Sequence, residues 1–160
     1  MKRTAGIIGL FLVLGLSLQA GKIKKEGAWV GFQLAAVHHT SFAGVHFEQG
    51  IGRHLALGLE ISTWLEGVTG MVLSYYLVYH FPVRSPRLDL FVGAGPALAF
   101  GFQRGGTDFR LKLQGGVRYW IAYRTAVYAK LISEIGENRL IAEKSDKSVF
   151  GGAIGVNLGF

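Results

Sequence analysis

The sequence predicts an all-β fold, an eight-stranded antiparallel up-and-down transmembrane β-barrel, on three observations. Apolar and polar residues alternate with period two through long stretches. Eight such stretches can be counted, an even number that returns the chain to the side where it began. An apolar leader precedes them, and glycine is abundant at 24 residues while proline stops at 3. Period two is the signature of a strand, because successive side chains point to opposite faces; a helix would smear the same groups around its surface.

The first element is the leader. Lys2 and Arg3 form a short basic region, residues 7–18 form an apolar run, and Leu18-Gln19-Ala20 is an acceptable cleavage site before Gly21. The run is shorter than the ~20 residues that a spanning helix needs, so residues 1–20 read as a cleaved signal peptide and 21–160 as the barrel domain. A retained N-terminal anchor is the alternative. No cysteine follows the apolar run, which excludes a lipoprotein, and the chain has none elsewhere, which excludes disulfides and thiolate chemistry. Without the leader, 15 basic and 10 acidic residues remain, a formal charge of +5. These charges are scattered, and export removes the chain from cytoplasmic nucleic acid, so no nucleic-acid partner is expected.

The strands are expected at 28–37, 42–51, 54–65, 68–81, 87–101, 107–121, 123–135 and 148–160. The first carries Trp29 and Gln33, the second Phe42, His46 and Glu48. The third is the clearest: Leu55, Leu57, Leu59, Ile61 and Leu65 alternate with Ala56, Gly58, Glu60 and Ser62. The fourth ends on Tyr79-His80-Phe81. The fifth carries Asp89, Gly93, Gly95 and Pro96. In the sixth, Phe109, Leu111, Leu113, Val117, Tyr119 and Ile121 oppose Arg110, Lys112, Gln114, Gly116 and Arg118. The seventh carries Arg124, Lys130 and Glu134, and the last alternates from Phe150 to Phe160. Each is near or beyond the 9–11 residues with which a tilted strand crosses a bilayer.

The connections fall into two sets. With Gly21 starting in the periplasm, Gly52-Arg53, residues 82–86 and a reversal near Ala122 lie on that side. Residues 38–41, Glu66-Gly67, 102–106 and the longer 136–147 lie outside. Short turns on one side and longer loops on the other suit a transmembrane barrel.

The apolar face is expected to meet lipid. His46, Glu48, Glu60, Asp89, Arg110, Lys112, Gln114, Arg118, Arg124, Lys130, Glu134 and Asn157 then point inward, and both charge signs are present. An isolated charge there would be costly, so an interior polar network is expected, built from Glu48, Glu60, Asp89, Arg110, Arg118 and Lys130. Eight strands enclose only enough room for side chains. Gly58, Gly93, Gly95, Gly116, Gly151 and Gly155 are therefore expected to make space for Arg110, Arg118 and Gln33, leaving no open pore. Trp29, Phe81, Tyr119, Tyr123 and Phe160 are expected at the periplasmic rim as an aromatic girdle, with Phe42, Trp64, Phe100 and Phe109 at the outer rim. Strict alternation would turn Trp64 inward unless a bulge intervenes.

The run Tyr79-His80-Phe81-Pro82-Val83, followed by Leu88-Asp89-Leu90-Phe91-Val92-Gly93-Ala94-Gly95-Pro96-Ala97, resembles a segment of the outer-membrane β-barrel domain superfamily, which includes OmpA-like and OmpX-like proteins. So does the alternating final strand closed by Phe160. Pro96 stands where glycine is commoner, which predicts a bulge or a missing ladder bond. The resemblance implies a bacterial outer-membrane location, contact with outer-membrane lipids and lipopolysaccharide, and recognition of the last strand by the barrel assembly machinery. It implies a structural or surface-interaction role without a cofactor; the wall-linking role of larger members is not carried over. A surface ligand would meet the outer loops, where 137–147 mixes both charges.

Two alternatives are open. A lipid A deacylase needs a serine, a histidine and a carboxylate. His39 and Ser41 with Glu134 or Glu137 offer those groups, although in that family the His-x-Ser pair lies on a late strand shortly before its glutamate. An exported lipocalin-like barrel would instead turn its apolar face inward around a ligand. His38, His39 and His46 pose a metal question, but neighbouring side chains of an extended chain diverge and no metal site is expected. Gly93-Ala94-Gly95 is not a phosphate loop, since no lysine or helix follows.

Overall fold

The computed structural model describes residues 27–65, 70–102, 105–136, 140 and 147–160; the leader expected at 1–20 lies outside them. Eight strands follow one another: β1 (Ala28–Val37), β2 (Thr40–Gly50), β3 (Leu55–Trp64), β4 (Gly70–Phe81), β5 (Leu88–Gly101), β6 (Thr107–Ala122), β7 (Thr125–Gly136) and β8 (Ser148–Gly159). Each pairs antiparallel with its sequence neighbours, and β1 pairs with β8 to close the barrel. Closure satisfies both edges of every strand, which a membrane demands because lipid offers no hydrogen bonds. The ring is sealed by register pairs from Trp29↔Gly159 to Val37↔Gly151.

Alternation survives from sequence to structure. In β3, Ala56, Gly58, Glu60, Ser62 and Trp64 are buried, while Leu55, Leu59 and Ile61 are exposed. Leu131 is 75% exposed and Ile154 65% exposed, values that place large apolar side chains on the outside of the wall. The lipocalin-like arrangement, with its apolar face inward, is therefore not the one adopted.

One end of the barrel holds the turns β2–β3, β4–β5 and β6–β7 and the ends of β1 and β8; this is the turn end. The opposite, loop end includes a two-residue turn at His38-His39, in which His38 takes a left-handed φ of 57°. Pro96 interrupts the β4–β5 ladder: Ser74↔Ala97 and Leu77↔Ala94 keep one register, with no pairing of the residues between them. The proline thus leaves a missing ladder bond, not a bulge, because it lacks the N–H that would face β4. A register shift does occur in the β6–β7 pairing, between Trp120 and Ala122.

Three expectations are corrected. Trp29, Phe42 and Trp64 are buried inside the barrel and do not join a girdle. No register shift interrupts the β3 ladders, so alternation alone turns Trp64 inward. Phe81, Tyr119, Phe109 and Phe160 do face outward. Arg124 is exposed, because the reversal after the β6 irregularity leaves Tyr123-Arg124 as the turn between β6 and β7. The inward glycines do not chiefly make room for arginine: a Cβ on Gly58 would overlap the Tyr76 ring and one on Gly155 would overlap Tyr128, while at Gly95, Gly116 and Gly151 it would meet the backbone of the neighbouring strand.

Candidate functional site

The interior polar network is the most developed arrangement of chemistry in the chain. It is assembled from inward positions of all eight strands, and it spans the lumen in three groups.

At the turn end, Arg118 of β6 reaches across to Glu48 of β2 with a two-pronged contact, Nη1 to Oε1 at 3.1 Å and Nη2 to Oε2 at 2.9 Å. Such a planar fork is the strongest geometry available to a carboxylate and a guanidinium. His80 of β4 lies between two carboxylates: its Nε2 is 3.3 Å from Glu48 and its Nδ1 is 3.0 Å from Asp89. Arg118 also approaches Asp89 at 3.6 Å. Rings enclose the cluster, since the Arg118 guanidinium lies 5.4 Å from the centroids of both Trp29 and Phe91, and Trp29 packs on Trp120 at 6.2 Å. With the Asn157 amide oriented to satisfy its neighbours, it donates to His46 Nε2 and accepts from Arg118 Nε, each at 2.9 Å.

The middle group centres on Glu60 of β3. Lys112 donates to its Oε1 at 2.5 Å and Lys130 to its Oε2 at 2.9 Å. Lys130 also donates to Gln114, and the Ser62 hydroxyl donates to Glu60. Tyr128 extends the network by donating to Gln33 at 3.1 Å and lying 3.2 Å from His46 Nδ1.

At the loop end, Arg110 bridges Glu134 at 2.8 Å and Asp108 at 3.1 Å, and Asp108 accepts the Leu140 backbone N–H at 2.9 Å. Beside this trio, Val37, Phe42, Trp64, Val72, Ile132 and Val149 form an apolar cluster against which Leu140 packs.

Of the predicted network residues, the structure joins Glu48, Asp89 and Arg118 into one cluster, Glu60 and Lys130 into another, and Arg110 with Glu134 into a third. His80, Asp108, Tyr76 and Tyr128 are further members of the interior that the sequence reading does not single out. The signal for His80 was available but faint: in β4 both faces are rich in apolar and aromatic residues, so alternation hardly distinguishes them.

The hydrolase residues separate. His39 is exposed in the β1–β2 turn. Ser41 pairs with Ala36 at a position whose side chain points outward, between the inward Phe42 and the turn. Glu134 points inward and is bound to Arg110. No proton relay runs from Ser41 through His39 to Glu134 in this arrangement, since the wall of the barrel stands between the serine and the carboxylate. Glu137 lies outside the described residues. His38 and His39 touch edge to face with ring centroids 4.3 Å apart, while His46 is buried beside Tyr128. The described residues contain no group of three or more His, Cys, Asp or Glu side chains placed to hold a metal.

The same architecture occurs in known proteins. No family model matches the chain, and no curated protein matches it by sequence. Solved structures do. The N-terminal β-barrel domain of Pseudomonas aeruginosa OprF superposes with a TM-score of 0.69 at 17% identity, over 83% of this chain and 96% of that one. Neisserial surface protein A gives 0.59 at 14% identity, over 83% and 94%. The outer-membrane enzyme PagL gives 0.57 at 12% identity, over 82% and 99%. With its closed antiparallel sheet and its likeness to these structures, the chain has the eight-stranded antiparallel β-barrel fold of these small outer-membrane proteins.

Proposed function

We propose that the chain is a bacterial outer-membrane protein with a structural or surface-interaction role and no open pore. The observation that carries this reading is the division of the wall: apolar side chains such as Phe32, Leu59, Leu113 and Leu131 face out, while the ion pairs are buried within. A soluble protein would expose the second set and bury the first. The lumen is crossed by Arg118 to Glu48 and by Lys112 to Glu60, which supports a filled interior. In this reading residues 1–20 direct export, lipopolysaccharide and phospholipid surround the wall, and β8 is the segment met by the barrel assembly machinery.

The test is partitioning. Expressed with its leader, the chain should fractionate with outer membranes, begin at Gly21, and migrate in detergent as a heat-modifiable β-rich species. Recovery as a water-soluble monomer without detergent would overturn the reading. In planar bilayers the chain should give no steady conductance; a reproducible open channel would remove the filled-lumen part.

A further inference from the structure

The three turns at the turn end share a feature that the barrel itself does not require. Each carries exposed arginine: Arg53 between β2 and β3, Arg84 and Arg87 between β4 and β5, and Arg124 between β6 and β7. None of these turns contains an aspartate or glutamate. Among the described residues, the carboxylate side chains nearest this end, Glu48 and Asp89, point into the lumen and are held there by Arg118 and His80. Among the described residues, the four exposed guanidinium groups make no ion pair. Among the described residues, the charged side chains of these three turns are therefore positive only.

Placement gives that charge a meaning. Because the turns alternate around a closed barrel, the arginines encircle the rim instead of forming one patch. Each is rooted where the outward apolar wall ends. Ile51 and Leu55 flank Arg53, Phe81 and Leu90 flank Arg84 and Arg87, and Tyr119 and Val127 flank Arg124. The Arg124 guanidinium lies 5.4 Å from the centroid of the neighbouring Tyr123 ring. A long cationic side chain anchored at the edge of an apolar wall extends its head into the headgroup layer, and a guanidinium matches the geometry of phosphate oxygens.

We propose that this ring of Arg53, Arg84, Arg87 and Arg124 binds the headgroup phosphates of anionic phospholipids, so that the inserted barrel gathers an anionic annulus in the leaflet at its turn end. The inference rests on the lipid-facing reading above. Attraction of an arginine to an anionic surface corresponds to at most about fivefold in partitioning for each residue engaged.

The test uses the full barrel refolded into phosphatidylcholine vesicles that contain a minority of phosphatidylglycerol, with spin-labelled lipids reporting the motionally restricted annulus. Labelled phosphatidylglycerol should be enriched severalfold over labelled phosphatidylcholine. The combined variant Arg53→Gln, Arg84→Gln, Arg87→Gln and Arg124→Gln should reduce that ratio to near one, and raised salt should weaken it in the parent. Equal restriction of both lipids by the parent, or a preference unchanged in the variant, would refute the proposal. Substituting lipid A for phosphatidylglycerol distinguishes the source: a stronger preference for lipid A, lost in the same variant, would reassign the ring and overturn the phospholipid assignment. Failure of the parent to fold in pure phosphatidylcholine, read from heat modifiability, would instead refute the membrane reading, and the proposal with it.

Discussion

The two ends of the barrel interior solve the same filling problem with different mixtures of ion pairs and apolar packing. At the turn end, Glu48, His80, Asp89 and Arg118 hold one another between Trp29, Phe91 and Trp120. At the loop end, Val37, Phe42, Trp64, Val72, Ile132 and Val149 meet in an apolar plug, and the Arg110 trio stands beside it. The difference teaches that a small barrel needs no polar lumen as such: its buried charges meet opposite charges, and its apolar side chains meet one another. The consequences of losing a partner are unequal. A charge left alone inside the barrel bears its whole desolvation penalty, whereas an apolar side chain trimmed by one methylene leaves only a small void.

That asymmetry sets the order of expected effects, each measured by denaturant unfolding of the barrel refolded in micelles. The largest belongs to Arg118→Leu, which leaves the two buried carboxylates Glu48 and Asp89 with only His80 between them. It should destabilise by about 3–5 kcal/mol, and a loss comparable to that of an apolar truncation would erase the distinction between the two ends. The double variant Glu48→Leu with Arg118→Leu comes next. It leaves Asp89 with His80 and should lie closer to the parent than Arg118→Leu alone, by roughly 1 kcal/mol or more. Additive losses in that cycle would mean that the two side chains act independently despite their two-pronged contact. The smallest effect is expected from Ile132→Val in the apolar plug, about 1 kcal/mol; a loss several times greater would mean that the plug is as intolerant as the ion cluster.

A fourth measurement moves from the interior to the wall. Arginine in place of outward Leu59, which lies midway along β3, should cost about 2–4 kcal/mol in a bilayer. Leu57→Arg, one outward position nearer the turn end, should cost less because the substituted charge can reach the interface. Equal costs at the two positions would place the wall at a different depth.

Much of the fold was legible before any coordinates. The strands expected at 28–37, 54–65 and 148–160 differ from those observed by at most one residue at either end. The missing ladder bond at Pro96 followed from the chemistry of one residue. The errors have a common origin. The preference of aromatic rings for membrane interfaces predicts girdle positions for Trp29 and Phe42, yet the pleat turns both inward. Where local alternation and a statistical preference of residue type conflicted, alternation prevailed, since the backbone leaves a strand residue only two directions. Arg124 was misplaced for a complementary reason: the irregularity between Trp120 and Ala122 shifted the reversal, and a register set by counting cannot anticipate an extra residue.

The candidate site was legible as a composition and not as a set of partners. Inward Glu48, Glu60, Asp89, Arg110, Arg118 and Lys130 could be enumerated from period two. Nothing in that period could say that Glu48 meets Arg118, which lies 70 residues away, or that Lys130 meets Glu60 instead of Glu48. The sequence by itself determined which residues form strands, which face of each is apolar, and so which side chains are enclosed, because these depend on sterics between near neighbours. Only the tertiary structure decided the pairings, the gathering of an apolar cluster beside the Arg110 trio at the loop end, and the separation of Ser41 from Glu134. Those depend on the stagger with which eight strands close, which sets the height at which each inward side chain meets the ones across the lumen.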